Sequence, residues 1–342
     1  MKREYANIAL IGVTNHGRTI LRMIEACDKL RLRSCFDINS AAVRQVAAET
    51  GCRAPESYEA LLSDPELDAV AIATPNFVHR DQAIEALRHG KHVFIEKPLA
   101  VNVCEGLEIV KTAKDAGKIL QVGHNTRKRR SFRQGKRFID AGEVGEIVSV
   151  YANMSFNFGI SKDVPEWKKE KDKCQMLPMT QLGIHFVDTL QYLVGPIASV
   201  TCTQRSAVIQ NKHGEKVVDS VAATLMFENG VIGAIQSDYV TPEAYQVVIS
   251  GTRARITCGA ETILVEKTVR GKVEVQSISA SEEIDGESYL SEIREFAECL
   301  LTGNLPDVDG KVGLRNVAVV EAMARSAESG CAVKIGEVLC EV

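Results

Sequence analysis

The chain has 342 residues, enough for two domains, with 45% hydrophobic content and mixed charge summing to −4. That balance speaks against nucleic acid as the main partner, and no apolar run approaches the length of a bilayer span, so no membrane partner is expected. The ten cysteines stand singly, with no C-x-x-C pair and no Cys/His cluster at zinc spacing, so they read as reduced core thiols and no metal is expected. No signal-peptide pattern precedes the first strand, and the expected compartment is the cytoplasm.

Ala6–Ile11 is a short apolar run with no room for a helix before Gly12, and the spacing of Ile20, Met23, Ile24 and Cys27 predicts a helix behind it. Strand, glycine turn and helix in that order are the setting of a dinucleotide fingerprint. The turn reads Gly12-Val13-Thr14-Asn15-His16-Gly17. Gly12 can make the tight turn and Gly17 can let the helix pack on the sheet, while Thr14 stands where the fingerprint has its middle glycine. A side chain there pushes phosphates outward or donates its hydroxyl to them, and the helix N-terminus still offers N–H groups to an anion. Thr14, Asn15 and His16 join the two glycines as expected cofactor contacts. A second strand over 32–36 ends in Asp37, at the right distance for an acid that accepts from a ribose 2′-hydroxyl. The same acid repels a 2′-phosphate, so NAD is expected over NADP. Asp37 could instead cap the helix over 41–50, a role that Asn39 or Ser40 fills better.

Residues 69–73 form a third apolar strand, stopped at Thr74-Pro75-Asn76, and a helix over 79–89 follows. His92-Val93-Phe94-Ile95 is a fourth strand and closes in Glu96-Lys97-Pro98. Such an ending delivers an acid, a base and a rigid turn to the carboxyl edge of a sheet, where ligands bind in open α/β folds. Alone, the triplet reads as a surface salt bridge beside a turn. In this setting a lysine can serve a reaction in which a proton leaves a hydroxyl. A helix over 104–116 and a strand over 119–122, stopped by Gly123-His124-Asn125, complete an alternation that implies a mostly parallel sheet covered on both faces.

Beyond about residue 144 the pattern changes to strands over 147–154, 200–208, 220–227, 231–237 and 246–250, with more to about 277. Glu228-Asn229-Gly230 is a hairpin turn between two of them. This predicts a large, mainly antiparallel sheet, interrupted by a helix over 184–193 and closed by helices over 289–301 and 310–329. Between the two halves runs a basic stretch, Arg127-Lys128-Arg129-Arg130 with Arg133 and Lys136-Arg137. It reads either as a grip for a phosphate or carboxylate, or as the solvated face of a helix that buries Phe132, Phe138 and Ile139.

Several motifs recur in one order from end to end. They are Ile11-Gly12 through Gly17, Ala73-Thr74-Pro75-Asn76 with His79, Glu96-Lys97-Pro98, and Val122-Gly123-His124-Asn125 with Arg127. Gln181-Leu182-Gly183-Ile184-His185 with Asp188 follows, then Glu292-Ile293 with Phe296, Asp309-Gly310, and Ser326-Ala327 with Gly330. In that order and spacing the chain resembles the Gfo/Idh/MocA family of oxidoreductases, which includes glucose–fructose oxidoreductase and inositol dehydrogenase. The resemblance implies an α/β protein with an N-terminal Rossmann domain over 1–123. It implies a C-terminal α/β domain over 124–342, whose open sheet supports a homodimer or homotetramer. It implies hydride transfer between a nicotinamide cofactor and a hydroxyl of a sugar, polyol or sugar derivative. Carried over, Lys97 and His185 fall at catalytic positions. Thr74, Pro75, Asn76, His79, Glu96 and Lys97 would line the cofactor, and Asn125, Arg127 and Gln181 would meet the substrate with Lys97 and His185.

Two departures bear on the chemistry. The family often has an acid where Gln181 stands, on the same helical face as His185, and an amide can orient a hydroxyl but cannot accept its proton. The family usually has glycines just before this segment, where Cys174-Gln175-Met176-Leu177-Pro178 stands here. The proton then goes to His185, to Lys97 or through a water. His185 suits a base because an imidazole titrates near neutrality, and Lys97 could steady a developing alkoxide. The competing class is a non-catalytic regulator that binds a dinucleotide on the same fold; the presence of both Lys97 and His185 favours the enzyme.

Overall fold

The structure, a computed structural model, describes residues 4–340. The chain divides into two compact units. One holds the residues up to Asn125 together with Ile284–Leu314, and the other holds Thr126–Glu283 and the residues from Arg315 onward.

The first unit alternates strand and helix: β1 (Ala6–Ile11), α1 (His16–Glu25), β2 (Leu30–Phe36), α2 (Ser40–Thr50), α3 (Tyr58–Leu62), β3 (Ala69–Ile72), α4 (His79–Arg88), β4 (His92–Glu96), α5 (Val103–Asp115) and β5 (Leu120–Gly123). The strands form one parallel sheet in the order β2-β1-β3-β4-β5. Strand order reverses at β1, so the carboxyl ends of β1 and β3 flank a crevice of the kind that receives ligands in such sheets. Both faces are covered, which is why β1, β3 and β4 read as continuous apolar runs rather than alternating ones.

The second unit opens with α6 (Arg130–Asp140), β6 (Ile147–Ser155) and α7 (Phe158–Ser161). A π-helical turn, Met179–Gly183, leads into α8 (Ile184–Val194). Then come β7 (Ile197–Arg205), β8 (Ser220–Phe227), β9 (Ile232–Asp238), β10 (Ala244–Gly251), β11 (Arg255–Cys258), β12 (Thr262–Val269) and β13 (Lys272–Ser279). After α9 (Glu287–Thr302) the chain ends in α10 (Gly310–Ser329), β14 (Val333–Lys334) and α11 (Ile335–Cys340). The nine-stranded sheet runs β13-β12-β11-β10-β6-β9-β8-β7-β14 and is antiparallel except where β6 meets β9. Its strands alternate: Val221, Ala223, Leu225 and Phe227 of β8 are buried while Ala222, Thr224 and Met226 face outward. The expected hairpin turn joins β8 to β9, with Gly230 at φ +86°.

The division differs from a single cut near residue 123. Helix α9 belongs to the first unit because Leu290, Ile293, Phe296 and Ala297 share one core with Ile8, Leu10, Ile20, Ile24 and Phe94. An amphipathic helix on its own shows an apolar stripe but not which sheet will cover it.

Candidate active site

The glycine turn sits at the carboxyl end of β1. A Cβ on Gly12 would lie 2.8 Å from the Ala73 carbonyl oxygen, and one on Gly17 would overlap the Gly12 carbonyl oxygen. Gly12 also holds φ +85°, and Asn15, a non-glycine, takes φ +44° to turn the chain into α1. Asn15 makes no side-chain cap, so the first N–H groups of α1 are not capped by it. At the end of β2, Asp37 Oδ2 accepts from Val13 N at 2.9 Å and Oδ1 accepts from Asn39 N at 2.9 Å, which fixes the carboxylate beside the turn. Asn39 caps α2, accepting from Ala42 N. A tight glycine cradle, a helix start without a side-chain cap and an anchored acid at the end of β2 fit a dinucleotide.

The neighbouring strand ends converge on the same edge. Thr74 Oγ1 donates to Gln82 Oε1 at 2.6 Å. His79 is buried, with Nδ1 2.9 Å from Pro98 O and Nε2 3.0 Å from Thr74 O. It therefore ties the Thr74-Pro75-Asn76 loop to the Lys97–Pro98 turn, whose peptide bond is cis. Burial pushes the His79 imidazole below its ordinary range. Glu96 is nearly sealed from solvent, and Gly123 leaves room for its carboxylate: a Cβ there would lie 3.1 Å from Oε1. His16 Nε2 stands 3.0 Å from Glu96 Oε1. Burial by itself raises the Glu96 carboxyl, yet His16 and Lys97 together draw it below the usual range, and Glu96 raises His16. Asn125 is buried and donates to Ser288 Oγ at 3.2 Å.

In the second unit, His185 lies in the first turn of α8, buried, with Nδ1 3.2 Å from Thr126 Oγ1. Arg129 lies over the Tyr245 ring at 5.4 Å. Phe132, Phe186 and Tyr245 pack edge to face or tilted, with centroids 4.9–6.1 Å apart, and hold α6, α8 and β10 together. If Thr126 accepts from Nδ1–H, Nε2 becomes the basic nitrogen of His185. Gln181 sits in the π-helical turn, so its relation to His185 is not the ordinary i, i+4 stacking of an α-helix. Its Nε2 lies 3.8 Å from Cys174 Sγ, which ties the two departures of this segment to each other. A Cβ on Gly183 would lie 2.3 Å from Met179 Sδ, so the Met179 side chain sits where a larger residue at 183 would need it to move.

Arg127 does not fit the expectation of a substrate contact. Its Nε donates to Asp188 Oδ2 at 2.6 Å and its Nη2 to Oδ1 at 2.5 Å, with both residues buried. Asn316 Nδ2 completes the cage at 2.8 Å from Oδ1. A fully buried carboxylate requires such a fork. The rest of the basic run follows the helical reading: α6 buries Phe132, Phe138 and Ile139 are half-buried, and Arg130 and Lys136 pair with Glu283 and Asp140.

With this geometry, residues 6–124 match the profile of an oxidoreductase family with an NAD-binding Rossmann fold, and residues 136–335 match the C-terminal alpha/beta domain of the same family. The chain belongs to the Gfo/Idh/MocA oxidoreductase family. This oxidoreductase is 30% identical to the scyllo-inositol 2-dehydrogenase (NAD(+)) of Bacillus subtilis, over 85% of this chain and 84% of that one. It is 26% identical to the 2,7-anhydro-N-acetylneuraminate hydratase of Escherichia coli, over 97% and 98%. Its fold matches a levoglucosan dehydrogenase in complex with NADH and levoglucosan at TM-score 0.90 and 21% identity, over 96% and 99%. The catalytic names of these relatives favour an enzyme over a regulator.

Three features of this oxidoreductase escaped the sequence: the Thr126 contact of His185, the His16–Glu96 pair, and the π-helical turn at Gln181. Only the last had a local signal, the glycine at 183 flanked by bulky residues. Among the described residues, no cluster of His, Cys, Asp or Glu could hold a metal and no helix is long and apolar enough to cross a membrane.

Proposed function

We propose that this oxidoreductase oxidises a hydroxyl of a sugar, polyol or sugar derivative, or reduces the matching carbonyl, with His185 as base and Lys97 steadying the oxygen. The observation that carries the reading is the placement of His185: a buried imidazole in the first turn of α8 whose Nδ1 lies 3.2 Å from the Thr126 hydroxyl, which fixes the ring of the residue read as the base. The nicotinamide cofactor, when bound, supplies or accepts the hydride. Gly12, Thr14, Asn15, His16 and Gly17 would receive its phosphates, and Thr74, Pro75, Asn76 and Glu96 the rest of it. His79 acts through the two loops it joins. Asp37, held by Val13 N and Asn39 N, accepts from a ribose hydroxyl and repels a 2′-phosphate, which favours NAD. Lys97, next to buried Glu96, offers an ammonium to developing alkoxide charge. Asn125 and Gln181 orient substrate hydroxyls.

The chain works as a homodimer or homotetramer in the cytoplasm, without nucleic acid or membrane. The outer face of the large sheet, where Met226 and Ile232 are exposed, supports the assembly. The test is NADH or NADPH formation with a panel of sugars and polyols, alongside titration of both cofactors. Reduction of NAD to NADH is expected. Tighter NADP binding would refute the role of Asp37, and product formation by water addition with no net change in NADH would refute net oxidation.

A further inference from the structure

Five lysines fall within residues 162–173, ahead of the turn that carries Gln181. Three of them meet a carboxylate: Lys169 pairs with Glu166 at 3.3 Å, Lys171 with Glu328 and Lys173 with Glu170. The other two do not, among the described residues. Lys162 lies over the Phe158 ring at 4.2 Å, and half-buried Lys168 lies over the Trp167 ring at 5.4 Å. The acids nearest Lys168 in sequence are committed elsewhere, Glu166 to Lys169 and the Lys212 N–H, Glu170 to Lys173. Burial lowers the Lys168 ammonium, the Cys174 thiol offsets part of that, and repulsion from Lys162 adds to it. Two cations held near each other, one half out of water, leave a positive field that an anion would relieve.

Their surroundings lead to the substrate segment. Phe156 stacks on Phe158 at 4.9 Å, and Phe158 meets Tyr239 edge-on at 5.8 Å. Gly159 N donates to Tyr239 O at 2.7 Å, Ser237 Oγ to Pro178 O at 3.1 Å and Cys174 N to Glu170 O at 2.8 Å, so the segments that carry Lys162, Lys168 and Gln181 pack together, and Cys174 contacts Gln181 at 3.8 Å. Lys162 thus lies on this aromatic wall, and Lys168 lies in the segment that leads into the Cys174–Gln181 pair. Gln181 stands where the family often has an acid, so the negative charge that would repel an anionic substrate is missing at the same place.

We propose that Lys168, assisted by Lys162, anchors an anionic group of the substrate beside Gln181, so that the substrate is a sugar or polyol bearing a carboxylate or a phosphate. This rests on the assignment of Gln181 and His185 to the substrate. The ammonium would donate to the anion while the amide orients a hydroxyl and the aromatic rings cover the apolar face of the sugar ring.

The test compares D-glucose, D-gluconate, D-glucuronate and D-glucose 6-phosphate, and further neutral, acidic and phosphorylated sets, by NAD reduction and by thermal shift with NADH present. Acidic or phosphorylated members should be preferred, and the two arms say which anion is taken. In Lys168→Met, KM for the preferred anion should rise about 10- to 100-fold with a smaller change in kcat, the usual effect of losing a charged hydrogen bond. Lys168→Arg should recover part of it, and melting curves of both variants, with Lys162→Met as a milder one, check that they fold. Turnover of neutral sugars as good as that of their acids, or an unchanged KM in Lys168→Met, would overturn the inference and leave the oxidoreductase reading intact. A Lys168-dependent thermal shift with an acid, without turnover of any sugar, would support the anion site while refuting the reaction proposed above.

Discussion

Each unit holds a buried carboxylate paired with a basic side chain, Asp188 with Arg127 and Glu96 with His16, and the two pairs are built differently. In the second unit Asp188 is fully buried, and Arg127, 7% exposed, clamps both of its oxygens while Asn316 fills a further site. In the first unit Glu96 is 7% exposed, but His16 is 41% exposed and meets it through one nitrogen. The first arrangement leaves little bonding capacity for a ligand. The second keeps a titratable base at the mouth of the crevice, next to Lys97 and at the start of α1. A buried acid is thus structural when its partner is a forked, permanently charged cation sealed with it, and suited to function when its partner is a half-exposed histidine.

The largest expected effect tests the catalytic side of this contrast. His185→Ala should lower turnover by roughly two to four powers of ten, while NAD affinity measured by fluorescence titration barely changes. Near-normal turnover would move the base to Lys97 or a water. Next comes the structural pair. Arg127→Ala strands a buried carboxylate and should cost about 3–5 kcal/mol in urea unfolding; a loss confined to KM, at unchanged stability, would return Arg127 to the substrate. In the first unit, Asn39→Ala removes the cap of α2 and should cost about 1 kcal/mol, with Asp37 still held by Val13 N, so cofactor preference should persist.

The smallest effect concerns His16 and Glu96. The carboxylate raises His16 above its ordinary 6.5, so the contribution of the pair through His16 is complete below that value and fades as pH climbs through the raised one. Glu96 is lowered, so its contribution holds above the ordinary carboxylate range and is lost as pH falls through its lowered value. An NMR titration should show the His16 midpoint falling back toward its ordinary value in Glu96→Gln. An unmoved midpoint would break the pairing.

The sequence by itself determined the elements whose cause is local. Gly12 and Gly17 were legible because a tight turn and a close helix leave no space for Cβ, and Glu96-Lys97-Pro98 because a buried strand must end where its charges begin. The parallel first sheet and the mainly antiparallel second one followed from βα alternation and from period-two patterning. The family and its oxidoreductase class were legible from the order of the motifs. Tertiary structure alone decided which partner each polar side chain takes. Arg127 reads as one more cation in a basic run until Asp188, 61 residues on, claims it. The helix over 287–302 reads as part of the second half until the first core covers it. Gln181 and His185 read as one helical face until Met179–Gly183 widens into a π turn and brings Gln181 to Cys174. Turns and periodicity are set by neighbours in the chain, whereas burying a charge requires a counter-charge from wherever packing brings one, and no local pattern records that choice.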